Sequence, residues 1–362
     1  MRVLTVVGNR PQFVKAAAVS SRLRSVATEV LVHTGQHYDD ALSRVFFDEL
    51  ELPRPEHRFD LGGGSNTAQT ARMLTELAPL LASEKPDVVL VYGDTNSTLA
   101  GALAAAQAGV PVAHVEAGMR SFDRSMPEEV NRIETDELSS LLLCSSQTAV
   151  DNLASEGVGG RVELVGDVMV DIALLLQPRA RDDLSTLQRL ELQPGAYVLM
   201  TAHRAGNVDD PARLERLVEL IEAMPGIVVL PLHPRTRARL EEAGILLRRL
   251  EEAGNVLLLP PVGYLEFTSL LVHARAMLTD SGGVQKEAYL AGVPCVTLRD
   301  TTEWVETVEA GWNRLVGLDP DAAAAALKEL PEPGEATSPA AELYGGGQAG
   351  SRVAAAIAKR FG

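Results

Sequence analysis

The chain has 362 residues, of which 46% are hydrophobic and 23% charged; that length and balance exclude a disordered chain and leave room for two ordinary domains. Its net charge of −16 argues against broad nucleic-acid binding, because an acidic surface repels the phosphate backbone, while a small anionic ligand is still allowed wherever Arg and Lys concentrate locally. No apolar run approaches a membrane span, and the opening MRVLTVVGNR is too short and strand-like for a signal peptide, so a cytoplasmic protein without a membrane partner is expected.

Taken in chain order, short Val- and Leu-rich runs recur, each ending in Gly, Asp, His or Arg and each followed by a helix-like segment. RVLTVVG, TEVLVHTG, DVVLVYGD, PVAHVEAG, LLLCSS and VELVGD fill the first half, and YVLMTAHR, IVVLPLH, NVLLLPPV, AMLTDSGG, PCVTLRD and NRLVG the second. Continuous apolar strands alternating with helices predict parallel sheets covered on both faces, and two such sets predict two doubly wound, Rossmann-like α/β domains in series. The seam is expected near residues 170–190, where charges and prolines gather. After an Ala-rich helix and a Pro/Gly loop, GQAGSRVAAAIAKRFG reads as a closing amphipathic helix. Cys144 and Cys295 fall within apolar runs and are read as buried thiols, in keeping with a reducing compartment.

In such sheets a ligand lies beyond the carboxyl ends of the strands, so the residues that end the runs are the candidates. The first turn, Gly8-Asn9-Arg10-Pro11-Gln12-Phe13-Val14-Lys15, lacks the G-x-G-x-x-G of dinucleotide sites and offers Arg10 and Lys15 to a diphosphate instead. In VYGDTNST, Asp94 is either a turn-former or a functional carboxylate, with Asn96, Ser97 or Thr98 capping the next helix. In HVEAGMRSFDRSMPEEVNR, Glu116 and Glu128 form a pair of carboxylates suited to proton transfer, whereas Glu129 is explained as a first-turn acid at a helix start. His114 and Glu116 spell H-x-E, but no P-C-x-x-C follows, so no metal site is expected. His203-Arg204 and His233 end strands of the second half and can donate to phosphate oxygens. Finally Ser281-Gly282-Gly283 forms a strand–turn–helix anion site, with Glu287 one helical turn further on, where it can accept from sugar hydroxyls.

G-x-R-P-Q-F-V-K, V-Y-G-D-T, H-V-E-A-G-M-R, P-E-E-V-N-R, V-G-D-V-M-V-D, T-A-H-R, D-S-G-G-V-Q-K-E and L-R-D-T-T-E occur in this order. Together with the tail Tyr344-Gly345-Gly346-Gly347-Gln348-Ala349, they resemble the non-hydrolysing UDP-N-acetylglucosamine 2-epimerases over essentially the whole chain. The resemblance implies a GT-B-type pair of Rossmann-like domains with a nucleotide cleft between them, a homodimer, and a UDP-sugar substrate. It implies reversible inversion at C2 of the sugar, by anti elimination of UDP to 2-acetamidoglucal and re-addition, with no cofactor. By position the catalytic residues become Asp94, Glu116, Glu128 and His203. The diphosphate falls to Arg10, His203, Ser281, Gly282 and Gly283, the ribose to Glu287, and the cationic lining to Lys15, Arg132 and Arg299, with His233 also among the substrate-binding set. The expected division is residues 1–175, joined by the helix 348–362, against residues 176–347.

The chain departs from the family pattern at three places. It has Gly8-Asn9-Arg10-Pro11-Gln12, His203-Arg204-Ala205-Gly206-Asn207 and Thr302-Glu303-Trp304-Val305-Glu306, where many members have G-T-R-P-E, H-R-R-E-N and T-E-R-P-E. These variants are similar to relatives that act on UDP-2,3-diacetamido-2,3-dideoxyglucuronic acid. Such an epimerase, or a GT-B glycosyltransferase, is the alternative reading.

Overall fold

The structure, a computed structural model, describes residues 1–36, 52–331 and 344–362. Thirteen described strands form two sheets. The first contains β1 (Arg2–Val7), β2 (Thr28–His33), β3 (His57–Arg58), β4 (Val88–Tyr92), β5 (Val112–Ala117), β6 (Leu141–Cys144) and β7 (Arg161–Leu164) in the order β3-β2-β1-β4-β5-β6-β7. The second contains β8 (Tyr197–Thr201), β9 (Ile227–Pro231), β10 (Val256–Leu259), β11 (Ala276–Thr279), β12 (Cys295–Thr297) and β13 (Asn313–Leu315) in the order β10-β9-β8-β11-β12-β13. Every recorded pairing is parallel. Two Rossmann-like domains are therefore present, as the alternation of apolar runs and helices leads one to expect.

Both faces of each sheet are covered, which is why the strands read as unbroken apolar runs. On β1, Val3 and Val7 enter one core while Leu4 and Val6 enter another. On β8, Val198 and Met200 face one side and Tyr197 and Leu199 the other. The chain divides into Met1–Leu174 with Ala341–Gly362, and Leu175–Ala340. The helix Ala349–Phe361 packs Val353 and Ile357 into the core beneath β1. Its first turn is held by Asp171, which accepts from the N–H groups of Ala349 and Gly350 at 3.0 and 2.8 Å.

Two local details differ from the sequence reading. β3 is a two-residue edge strand with no apolar run to announce it. The helix Asn96–Gln107 is capped by Thr95, one residue before the proposed caps. Thr95 sits in extended backbone and its hydroxyl accepts from the Thr98 N–H, while the Thr98 hydroxyl accepts from the Thr95 N–H. That reciprocal box satisfies two helix-start donors, more than Asn96 could from inside the helix. Cys144 and Cys295 are buried free thiols, their titration pushed up by burial to about 12.

Candidate active site

In each sheet the strand order reverses direction once: between β1 and β4, and between β8 and β11. At such a switch point the helices that follow the two neighbouring strands leave on opposite faces, opening a crevice at the carboxyl ends. The turns there are Gly8–Arg10 and Gly93–Asp94 in the first unit, and Ala202–Arg204 and Asp280–Gly282 in the second. Most of the residues singled out from sequence stand on these turns or on the next strand over.

In the first unit, Asp94 follows β4 and its Oδ2 accepts from Arg132 Nη2 at 2.5 Å. Arg132 Nη1 also donates to Glu129 Oε2 at 2.9 Å. Glu116 is the residue skipped where the β5–β6 register shifts between Val115 and Ala117, and its φ is +69°. A bulge leaves its extra residue unpaired, and a non-glycine in the left-handed region stores roughly 1–3 kcal/mol. The strain aims the Glu116 carboxylate at Lys15, with which it forms an ion pair. Gly93, at φ +62°, allows this approach: a Cβ there would lie 3.1 Å from Lys15 Nζ and 3.3 Å from Glu116 Oε2. Lys15 and Glu116 thus lie against the residue that precedes Asp94. Glu128 stands exposed on the first turn of the helix Pro127–Leu138. Arg10 opens the helix Arg10–Leu23; its side chain lies outside the described residues.

Two residues matter here that the sequence reading passed over. Glu129, explained there as a first-turn acid, is buried and accepts from Ser121 N–H at 2.9 Å, Ser121 Oγ at 3.0 Å and Phe122 N–H at 2.9 Å. Burial pushes its carboxyl up, but the Ser121, Arg132 and Phe122 donors outweigh that and hold it below the ordinary value. Through Arg132 it connects the loop after β5 to Asp94. Gln12, one of the departures from the family pattern, donates to the Tyr92 carbonyl at 2.8 Å and to Thr98 Oγ1 at 2.9 Å, and accepts from the Gly8 N–H at 2.7 Å. A glutamate has no N–H to make the first of these. The signal available for Glu129 was its place three residues before Arg132, one helical turn away.

In the second unit, Asp280 is fully buried and organises the turn after β8. It accepts from the backbone N–H groups of His203 at 3.1 Å and Arg204 at 2.9 Å, and from Asn207 Nδ2 at 3.1 Å. The His203 ring stacks on His233, with centroids 4.9 Å apart. Burial holds its imidazole below the ordinary His range, Arg204 and Arg235 pushing the same way against the attraction of Asp280. His233 caps the helix Pro234–Glu242, its Nδ1 accepting from the Arg235 N–H at 3.2 Å.

The helix Gly282–Ala291 begins with no side-chain cap from Ser281. A Cβ at Gly283 would meet nothing within 4 Å. Open space, uncapped N–H groups and the positive end of the helix dipole are the features that favour an anion at a helix start. A carboxylate already lies beside it: Glu303 Oε2 is 3.2 Å from where a Gly282 Cβ would be, and it accepts from Arg299 at 2.8 Å. Arg204 also reaches Glu303, at 3.4 Å. Trp304, another departure from the family pattern, covers the buried Lys286 ammonium at 4.4 Å from its ring centre. Glu287, half-buried, accepts from Tyr264 Oη at 3.4 Å. Among the described residues no cluster of His, Cys, Asp and Glu could hold a metal ion.

Residues 21–358 match the family model described as UDP-N-acetylglucosamine 2-epimerase. The chain belongs to that family. It is 47% identical, over 99% of this chain and 100% of the relative, to the UDP-2,3-diacetamido-2,3-dideoxy-D-glucuronate 2-epimerase of Pseudomonas aeruginosa. It is 42% identical to the UDP-N-acetylglucosamine 2-epimerase of Methanocaldococcus jannaschii, over 88% of each chain. The crystal structure of a UDP-GlcNAc 2-epimerase from that organism, in complex with UDP-GlcNAc and UDP, superposes with a TM-score of 0.90 at 40% identity, covering 99% of this chain and 100% of that one. As a family member the chain is a carbohydrate epimerase, and the resemblance read from its motifs holds over its whole length.

Proposed function

We propose that this epimerase inverts C2 of UDP-N-acetylglucosamine reversibly to give UDP-N-acetylmannosamine, with UDP as the departing and returning group. The observation that carries the reading is Glu116: a carboxylate held on a left-handed bulge against Lys15, beside the Asp94–Arg132 pair. Strain of this kind persists at sites where geometry serves chemistry. One carboxylate removes the C2 proton, the electron pair forms the C1=C2 bond, and the C1–O bond breaks to release UDP. A proton returned to the opposite face of 2-acetamidoglucal, with UDP oxygen re-adding to C1, completes the inversion. Two faces require two proton carriers, and Asp94, Glu116 and Glu128 supply them.

The second unit is proposed to hold UDP. Ser281, Gly282 and Gly283 offer N–H groups to the diphosphate, and His203, His233 and Arg299 offer hydrogen bonds or charge; the family resemblance also assigns Arg10, of the first unit, to the diphosphate. Glu287 accepts from the ribose hydroxyls. Lys15 keeps Glu116, and Arg132 keeps Asp94, paired with a cation until substrate arrives. The protein is proposed to work in the cytoplasm as a homodimer, without nucleic acid, membrane or cofactor. The family resemblance supports the dimer, and light scattering that returned a monomer would count against it.

A second reading, epimerisation of UDP-2,3-diacetamido-2,3-dideoxyglucuronate, is favoured by the full-length similarity to the Pseudomonas enzyme. Incubation of each UDP-sugar in deuterated water, followed by NMR, decides between them through deuterium at C2 and the epimeric product. Exchange with neither substrate sinks both readings. A glycosyltransferase would need one base rather than a set of carboxylates, and would show transfer to an acceptor without C2 exchange.

A further inference from the structure

We propose that His114 and Asp136, neither of which faces substrate in the mechanism above, are positioning residues that lock the ends of β4 and β5 into one frame and so set the spacing of Asp94 and Glu116. The proposal rests on the assignment of those two carboxylates to the chemistry.

Both side chains are fully buried. His114 Nδ1 lies 2.7 Å from Asp136 Oδ1, and Nε2 lies 2.8 Å from the Gly93 carbonyl. A carbonyl only accepts, so Nε2 carries the proton of that bond. Asp136 Oδ2 in turn accepts from the Gly118 N–H at 3.0 Å and from Arg120 Nη1 at 2.8 Å. One carboxylate therefore grips the chain two residues before Glu116 and two residues after it. The span between is the bulge, where the β5–β6 ladder breaks step. A strained conformation survives only if its surroundings over-determine it, and here the ladder cannot do so.

The other end of the frame is Gly93. Its N–H donates to the Val115 carbonyl at 3.0 Å and its carbonyl accepts from His114. Both polar groups of the residue before Asp94 are thus tied to the strand that carries Glu116. Burial pushes the Asp136 carboxyl up, but His114 and Arg120 more than offset this and hold it below the ordinary range. It stays an acceptor for the Gly118 N–H and for Arg120, with His114 Nδ1 at 2.7 Å from its other oxygen. Neither residue can be replaced by an apolar one without leaving buried polar groups unpaired.

The test uses three variants of the full chain. His114→Asn can keep the bond to Asp136 and lose the one to Gly93, His114→Gln does the reverse, and Asp136→Asn keeps the shape of the carboxylate while removing its charge. C2 exchange, kcat, KM and UDP affinity by calorimetry are read below each variant's melting temperature. Because displacement of about 1 Å remote from the chemistry can cost 10²-fold, kcat should fall by about that factor in each, with KM and the UDP Kd within about threefold of the parent. Variants that keep kcat within about threefold while only melting earlier would overturn the proposal, since that is what a purely structural network does. A joint loss of kcat and UDP affinity would overturn it too, by placing the disturbance beyond the first unit's strand ends. Should Asp136→Asn fail to fold, the two His114 variants, each conserving one bond, carry the same outcomes. Absence of C2 exchange in the parent protein would instead defeat the assigned function.

Discussion

Glu116 offers a way to weigh catalytic geometry against stability. Its φ of +69° places Cβ where an L-residue pays about 1–2 kcal/mol relative to glycine. Glu116→Ala and Glu116→Gly both delete the carboxylate and both strip Lys15 of its partner, so those losses cancel in the comparison. They differ only in Cβ. Glycine relieves the left-handed penalty but gives back about 0.5–1 kcal/mol through its freer unfolded chain. Taking matching ends of the two ranges, the expected net is that Glu116→Gly is the more stable by about 0.5–1 kcal/mol. For a unit of this size that is about 1–4 °C in melting temperature. Both variants should lose C2 exchange by about 10²–10⁴-fold, as expected for removal of a proton carrier. Matched thermal and urea unfolding of the two proteins is the assay. An alanine variant as stable as the glycine variant, or more so, refutes the claim that the backbone at Glu116 is strained for function.

Three further perturbations follow from the contacts described. Glu129→Gln should destabilise the first unit by about 2 kcal/mol, because an amide cannot accept from every donor around it. As a carboxyl held below its ordinary value of 4.5, Glu129 contributes stability above that pH, and the contribution is lost as pH falls through the lowered value. The gap in urea midpoint between parent and Glu129→Gln should therefore be wide at pH 7 and narrow toward pH 3. Asp280→Ala orphans the N–H groups of His203 and Arg204 and takes one of two acceptors from the Asn207 amide, which still donates to the Leu298 carbonyl, at about 1–3 kcal/mol for each unmet donor. Calorimetry should show UDP affinity falling at least tenfold, and an unchanged Kd would remove Asp280 from the organisation of the UDP site. Gly350→Ala should undock the C-terminal helix, since the added Cβ would stand 2.1 Å from the Ala18 carbonyl oxygen. A parent-like melting temperature would show that the helix can shift to make room.

The strands were legible because a parallel sheet covered on both faces writes itself as continuous apolar runs. β3 was not, because two residues, His57 and Arg58, on a sheet edge carry no such run. Ser281-Gly282-Gly283 was legible as a turn opening a helix, but the sequence could not show that Glu303 lies against that turn. Glu303 follows it by twenty residues, and its placement depends on Arg299 and Arg204. Glu129 was hidden for a different reason: acids in a first helical turn usually need no explanation beyond the dipole. Its burial comes from the loop folding back so that Ser121 and Phe122 donate to it. The φ of Glu116 likewise has no trace in HVEAG, since the bulge arises from pairing with β6.

The docking of the helix Ala349–Phe361 on the first unit bears on how the protein is made. The whole of the second unit, Leu175–Ala340, is encoded between the first unit's strands and the helix that closes their core. During synthesis the first unit must therefore wait, one apolar face uncovered by that helix, until the second unit has been made. A chain interrupted anywhere within the second unit leaves the first unit without the helix that closes its core.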